Sequence, residues 1–509
     1  MTDLSPRRLP DPEEAAKLST PLTSRGAMTS SAQPPKKAGF ADGLYARYVK
    51  PYPRLVSGTF RRFKWITLFV LLGIYYLAPF LRWDRGPGAP DQAILIDMPA
   101  RRAYFFFIEI WPQEVYYLTG ILIVAAIVLF AATSLFGRVW CGFACFQTVW
   151  TDLFLWVEAK IEGDRTARMQ LDRAPWTVAK LGKKIVKHLT FILIGFFTGG
   201  AWVMYFNDAP TVIGELATFS AGPWTTTFFF LFTFTTYIMA GWAREQACIY
   251  MCPYARFQGA MLDEDSLIIT YEAWRGEPRA PVAKGQTDFA GRGHCVDCRA
   301  CVQVCPTGID IRKGSQLECI NCGLCVDACN AVMDRFKLPR GLIRYDSIAA
   351  QAARAAKRPG KTRFLRPRTF IYALVLAAVG GVMIASLATR DRLGLNVIHE
   401  RSPLFVRLSD GSVRNSYTLK TLNMLRQERR LEFAVEGIAP SQVTIVGQEA
   451  EGARAKLVVG ADRVGEFRLF LTLPADRVPK GSAPITLRIT DPQTGEEARA
   501  RDIFAGPER

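Results

Sequence analysis

At 509 residues the chain is long enough for several units of about 100–200 residues each. Half of it is hydrophobic, yet 64 Lys and Arg outweigh 46 Asp and Glu, giving a net charge of +18. The basic residues gather beside apolar runs, and no soluble segment interleaves a basic stripe with stacking aromatics. The charge therefore points to an anionic membrane surface, and nucleic acid is set aside as a partner.

Residues 1–47 read as a disordered cytoplasmic tail. Up to Lys37 they are rich in Pro, Ser, Thr and charge with no apolar core, so they are neither a cleavable signal peptide nor a fold. Residues 48–260 read as a transmembrane region with four spans, at 65–81, 115–136, 189–206 and 224–243. A fifth span at 370–388 occupies the segment 368–389. Buried globular helices are the alternative, but runs this long and this free of charge disfavour it, and Arg61-Arg62-Phe63-Lys64 suits an interface. The tail before Trp65 holds a dozen Lys or Arg, 137–184 is also basic, and Arg354–Arg368 crowd the approach to the fifth span, whereas 207–223 has no basic residue. The positive-inside rule then puts the N-terminus, 137–184 and 244–368 in the cytoplasm and 390–509 outside.

All 12 cysteines lie between Cys141 and Cys329, a distribution that suits cytosolic metal ligands and not a disulfide framework. Cys141 and Cys145 follow the second span, and Cys248 and Cys252 follow the fourth. If the helices continue, the spacing of four sets each pair on one face. The repeat suggests an internal duplication that brings the four thiols together. Three readings stand at this point: small packed hydrophobes, a soft thiolate site for copper(I), or a third iron–sulfur cluster.

Residues 261–367 read as a bacterial two-cluster ferredoxin-like domain. Cys295, Cys298, Cys301 and Cys305 are followed by Cys319, Cys322, Cys325 and Cys329 at the same spacings, those of two-cluster ferredoxins. The expected ligand sets exchange the fourth cysteine: Cys295, Cys298, Cys301 and Cys329 hold one 4Fe–4S cluster, and Cys319, Cys322, Cys325 and Cys305 the other. Zinc would leave the fourth cysteine of each run unexplained. Pro306 follows the first run, while Asn330 stands where the second proline is expected. Asp297 and Asp327 are expected to tune the potentials.

Residues 390–509 read as a periplasmic immunoglobulin-like β domain. Strands at 404–408 and 412–419 flank the turn Asp410-Gly411. Alternation continues at 431–435, 443–446, 467–473 and 485–489, and about seven strands are expected. No phosphate-binding loop or dinucleotide fingerprint is present. His188, His294 and His399 show no haem-spanning spacing, so neither haem nor nucleotide is expected. His188, among lysines, reads as interfacial and His294 as exposed beside the first cysteine run.

Four motifs resemble signatures of the cytochrome c oxidase accessory protein family CcoG, also called FixG or RdxA, whose members are membrane polyferredoxin-like. They are Gly137-Arg-Val-Trp-Cys-Gly-Phe-Ala-Cys-Phe-Gln-Thr-Val-Trp-Thr-Asp152, Cys248-Ile-Tyr-Met-Cys-Pro-Tyr-Ala-Arg-Phe-Gln258, Arg275-Gly-Glu-Pro278 and Cys305-Pro-Thr-Gly-Ile-Asp-Ile-Arg312. The resemblance runs from about Tyr48 into the tail, where Leu408-Ser-Asp-Gly-Ser-Val-Arg-Asn415 also fits. It implies a bacterial inner-membrane protein that reduces copper(II) to copper(I) for assembly of a cbb-type oxidase. Oxidase assembly factors or copper carriers would be its partners, and its electron donor is not named by the sequence. Carried over, Cys141, Cys145, Cys248 and Cys252 become the copper-reducing thiols. Phe146 departs from the family's usual proline, which Pro253 keeps. The rival expectations are a quinol-linked electron relay and a non-catalytic assembly scaffold or redox sensor.

Overall fold

The computed structural model describes residues 50–507, apart from 87, 283–288, 290, 441 and 453. The expected tail, 1–47, lies outside the described residues. The chain divides into two compact units, Met1–Gly381 and Val382–Arg509.

Among the described residues five helices are long and apolar enough to cross a membrane: Thr59–Phe80, Pro112–Phe136, Val178–Val203, Pro223–Ala243 and Pro367–Ala388. Large side chains such as Phe69, Leu122 and Phe197 stand exposed along them, as lipid-facing residues must. Helix α1 (Thr59–Leu77) and helix α2 (Tyr116–Phe136) are joined through a small antiparallel meander that the sequence reading lacked. Its strands are β1 (Ile94–Asp97), β2 (Arg102–Phe105) and β3 (Ile108–Ile110). After α2 come α3 (Phe146–Glu162) and α4 (Arg165–Arg173), then α5 (Val178–Val203) and α6 (Pro223–Thr236).

Helix α5 begins eleven residues before the apolar run expected at 189. Thr177 caps it by accepting from the Lys180 amide. The lysines of its first turns are good helix formers, and their ammoniums reach acceptors on α3 and α4. Lys187 Nζ lies 3.3 Å from Glu158 and 2.9 Å from Glu162, and Lys184 Nζ 2.9 Å from Glu162. The expected start at 189 was late because hydropathy registers the charge and not the partner that neutralises it.

The ferredoxin-like insert follows α7 (Pro253–Met261). Strands β4 (Ile268–Tyr271) and β5 (Ile343–Asp346) pair antiparallel, with Ile269 opposite Tyr345 and Tyr271 opposite Ile343. Between them run the two cysteine loops, each ending in a helix: α8 (Ala300–Gln303) and α9 (Leu324–Arg335). The duplication extends to the backbone. Asp297 and Asn321, each two residues after the first cysteine of its run, have φ of 49° and 54°. Arg299 and Gly323, two residues further on, have φ of 55° and 76°. Asn, Asp and Gly enter this left-handed region most readily, and two such turns curl each loop around a common centre.

The insert is locked onto the membrane helices through the start of α1. Asp327, inside the second run, accepts from the backbone N–H of Phe60 (3.2 Å) and Arg61 (2.8 Å). It supplies the N-terminal cap that Gly58 cannot. Arg61 in turn donates to both oxygens of Asp152 at 2.8 Å, a buried pair that ties α1 to α3.

Helix α10 (Pro367–Ala388) leads to the second unit, two five-stranded antiparallel sheets. One has the order β10-β13-β8-β6 with β7 also on β8, and the other β11-β12-β9-β14-β15. In chain order the strands are β6 (Leu393–His399), β7 (Val406–Arg407), β8 (Val413–Asn423), β9 (Arg429–Glu436), β10 (Gln442–Ile445), β11 (Ala450–Glu451), β12 (Arg454–Val459), β13 (Arg463–Leu473), β14 (Ser482–Thr490) and β15 (Glu497–Ala505). Tyr417, Leu419, Leu431, Phe433, Leu457, Leu471 and Leu487 from both sheets share one core. Strict alternation along β8 and β12 explains the sandwich. The Asp410-Gly411 turn joins β7 to β8, with Asp410 Oδ1 accepting from the Ser412 amide. More strands form than the seven expected. The additions include β15, whose outward charges suit an edge and mask its alternation.

Candidate functional site

The two cysteine runs wall two adjoining cavities. The first, about 350 Å³, is lined by Cys295, Cys298, Cys301 and Cys329 together with Tyr271, Arg312 and Met333. The second, about 340 Å³, is lined by Cys305, Cys319, Cys322 and Cys325, with Ile269 and Thr307 among its other walls. Cys301 faces both. Cys305 and Cys329 thus each stand in the cavity of the opposite run. Among the described residues no three His, Cys, Asp or Glu side chains close on a point as they would around a single ion. The sulfurs instead line the two cavities, four in the first and five in the second with Cys301 in both, a donor set that suits sulfur-ligated clusters.

Burial pushes the thiols of Cys301, Cys319 and Cys329 up to about 12, and that of Cys325 well above the usual range. In such dry surroundings a thiolate needs a metal to stabilise it, so the donor set suits iron and not free thiolate chemistry. Exposure is uneven: Cys298 of the first cavity is exposed, whereas Cys295, Cys301 and, in the second, Cys322 are buried. Asp297 pairs with Arg312, which also binds Asp310 at 2.7 Å, so that carboxylate is neutralised beside the first cavity.

The membrane cysteines are built twice in the same way, but not as the uninterrupted helices that would set Cys141 with Cys145, and Cys248 with Cys252, on one face. Cys141 lies in a π-helical turn, Trp140–Ala144, and Cys248 in another, Ala247–Met251. The second cysteine of each pair then leaves the helix in extended conformation: Cys145 has φ −62° and ψ 128°, Cys252 φ −79° and ψ 110°. Each is the N-terminal cap of the following helix, α3 or α7. The physical reason is the widened turn, which ends the regular ladder one residue before the cap. Phe146 and Pro253 occupy the same first helical position, where proline is tolerated and not required. Both caps are extended, so the helix after Phe146 starts in the same manner as the one after Pro253.

The structure brings these four thiols into one neighbourhood. Burial raises Cys141, Cys145 and Cys248, the last to about 12, and the charges of the other thiols in the set add to the rise. Working against it, the backbone N–H groups of Gln147 and Thr148 in the first turn of α3 lower the Cys145 thiol. The two modules are cross-braced beneath the thiols. Gln147 Nε2 donates to the carbonyls of Met239 (2.8 Å) and Arg244 (3.0 Å). Glu158 binds Arg244 at 2.9 Å and Arg168 at 3.1 Å. Burial opposes its ionisation, yet Arg244, Lys187 and Arg168 hold the Glu158 carboxyl down to about 2.

One feature escaped the sequence reading altogether. Arg138, at 3% exposure, donates from Nε to Gln258 Oε1 at 2.8 Å and from Nη1 to the carbonyls of Cys319 (3.0 Å) and Leu317. The same Gln258 oxygen accepts from Cys141 Sγ at 3.2 Å. Arg138 lies within a motif already singled out, but only the fold reveals its partners. His188 bonds the Tyr237 hydroxyl at 2.9 Å and lies with none of the cysteine cavities, and His294 is half-buried behind Phe289.

Comparison with known proteins matches residues 243–348 to a family described as a 4Fe-4S dicluster domain, and 118–163 to a 4Fe-4S binding domain. Residues 383–507 match a family described as the IG-like fold at the C-terminal of FixG. The nitrogen fixation protein FixG of Rhizobium meliloti is 46% identical over 490 residues, 91% of this chain and 93% of its own length. Protein RdxA of Cereibacter sphaeroides is 47% identical over 479 residues, 92% of this chain and 99% of its own. A solved FixG-related protein from Vibrio parahaemolyticus aligns with 23% of this chain and 96% of its own at 23% identity, with a TM-score of 0.19.

Proposed function

The chain belongs to the FixG/RdxA family of membrane iron–sulfur proteins, and from that premise we propose that it reduces copper(II) to copper(I) at Cys141, Cys145, Cys248 and Cys252 for assembly of a cbb-type oxidase. The observation that carries this reading is the gathering of four thiols from two repeated motifs, with Cys141 buried against the core that walls a cysteine-lined cavity. Soft sulfur favours copper(I) over copper(II), which makes the one-electron reduction easier at the site. Each copper(II) ion gains one electron and no covalent bond breaks; a low-potential one-electron reductant supplies the charge.

Cys295, Cys298, Cys301 and Cys329 would hold one 4Fe–4S cluster, and Cys305, Cys319, Cys322 and Cys325 the other. Bound there, such clusters supply one-electron carriers. The chain's own part is to shield the sulfurs and to hold Cys141 of the membrane thiols beside the second cavity. Basic flanks support an inner-membrane orientation with the cysteines on the cytoplasmic side and the β domain in the periplasm. An oxidase assembly factor or copper carrier would take the product.

A second reading has its own support: the match to a 4Fe-4S binding domain covers Cys141 and Cys145, so the four thiols could hold a third cluster. Anaerobic purified protein decides. We expect about eight iron and eight sulfide per chain, and copper(I) captured by a chelator when the reduced protein meets copper(II). About twelve iron, with no copper(I) formed, would establish the third cluster instead.

A further inference from the structure

We infer that Arg138 and Gln258 join the second cysteine cavity to the membrane thiols, making that cavity the one electronically coupled to Cys141 and the first cavity the one that faces the donor. The inference rests on the reading of the four membrane cysteines as the reducing site.

Three independent observations converge. The first is a continuous hydrogen-bonded bridge. The Cys319 carbonyl accepts from Arg138, Arg138 donates to Gln258, and the Gln258 oxygen accepts from Cys141 Sγ. Arg138 is 3% exposed and Gln258 is fully buried, so water does not compete for any of these bonds, and each is stronger for it. The second is direct packing. Cys141 shares one apolar core with Cys322, Ile320 and Leu324, and Cys325 packs against it. The third is a backbone contact made possible by glycine: a Cβ on Gly142 would lie 2.8 Å from the carbonyl oxygens of both Ile320 and Asn321. The residue after Cys141 is thereby pressed onto the loop between Cys319 and Cys322.

None of the first cavity's cysteines belongs to that core: Cys295 and Cys301 pack with Ile269, Met333 and Leu342, and of its wall Ala300 touches the core of Cys141. Its rim carries Cys298, the one cysteine of the twelve that is exposed. Cys301 lines both cavities. Donor side, shared wall, second cavity, bridge and thiols therefore lie in sequence. Arg138 has a further consequence: a guanidinium donating to the Cys319 carbonyl favours added negative charge in the second cavity. Arg138 and Gln258 touch neither the ion nor a cluster as ligands, so both are positioning residues.

The test uses Arg138→Met and Gln258→Met in the full-length, cluster-loaded protein. Redox titration followed by electron paramagnetic resonance reads each cluster without turnover. Arg138→Met is expected to shift one of the two potentials to a more negative value and leave the other unmoved. Both variants should slow copper(I) formation by about tenfold, equivalent to about 1.4 kcal/mol of barrier, with copper(I) binding and the iron count retained. Unchanged potentials together with unchanged rates in both variants overturn the inference. If Arg138→Met fails to load iron, Gln258→Met alone decides, because it leaves the guanidinium on the Cys319 carbonyl and removes the acceptor that joins Arg138 to Cys141. A wild-type protein that never reduces copper overturns the functional reading instead, and the potential shift still reports on the bridge.

Discussion

Changing Cys141 to serine is expected to abolish copper(II) reduction while both clusters of the insert remain. The hydroxyl is a hard, protonated donor that does not hold copper(I), so the driving force that four soft sulfurs provide is lost at its source. Cys141 is also the thiol that bonds Gln258 and packs on Cys322. We expect a loss of more than about a hundredfold in rate, or about 2.7 kcal/mol of barrier. Iron and sulfide should stay at the wild-type level, because none of the eight insert cysteines is touched. The outcome to look for is copper(I) trapped per second by reduced protein, alongside the iron count. If the thiols were only packing groups, Cys141→Ala and Cys248→Ala would lower stability and spare reduction per folded molecule. Full activity in a folded variant lacking all four would remove the site from consideration.

The second large effect concerns Cys305. It belongs to the first run in sequence, yet it lines the cavity of the second, with its sulfur 3.3 Å from Thr307 Oγ1. Cys305→Ser should therefore lose the cluster held by Cys319, Cys322 and Cys325, and iron should fall to about four per chain. The surviving resonance should be that of the cavity carrying the exposed Cys298. Copper reduction should stop, since that cavity adjoins the membrane thiols, while copper(I) binding by the thiols persists. Loss of the other cluster, with the one near Cys141 intact, would show that each run binds its own cubane and that the exchanged pairing is wrong.

Much of this architecture could be read before any coordinates. A run such as 115–136 has little reason to exist outside a bilayer, and cysteine spacings of two, two and three have a single common use. These signals are local, since each depends on residues close in sequence. What the sequence concealed is non-local or is conformation without composition. Arg138 and Gln258 lie 120 residues apart, and nothing in either segment announces the other. Asp327 caps a helix more than 260 positions away, a role that nothing near it in sequence indicates. The π-helical turns at Trp140–Ala144 and Ala247–Met251 leave no periodic trace in five residues each. The pairing of Cys141 with Cys145 on one helix face failed for that reason, although the grouping of the two pairs did not depend on it. Helix α5 was placed late because its lysines are satisfied by glutamates on another helix.

The contact between Gly142 and the Ile320–Asn321 carbonyls also governs how the protein is made. Once Arg138 has engaged Leu317 and Cys319, Asp327 has capped α1 and Phe60 lies against Gly323, the second cavity is closed on its membrane side. An inorganic core of several atoms cannot be threaded through a wall of backbone. Entry from that side is expected only before docking, and the first half of the cradle, 137–152, precedes in the chain the loop it must receive. Maturation becomes a checkpoint: a chain synthesised under iron starvation should keep residues 315–325 open to protease until iron and sulfide arrive, whereas a chain equally resistant in both states would mean that docking does not wait for the metal.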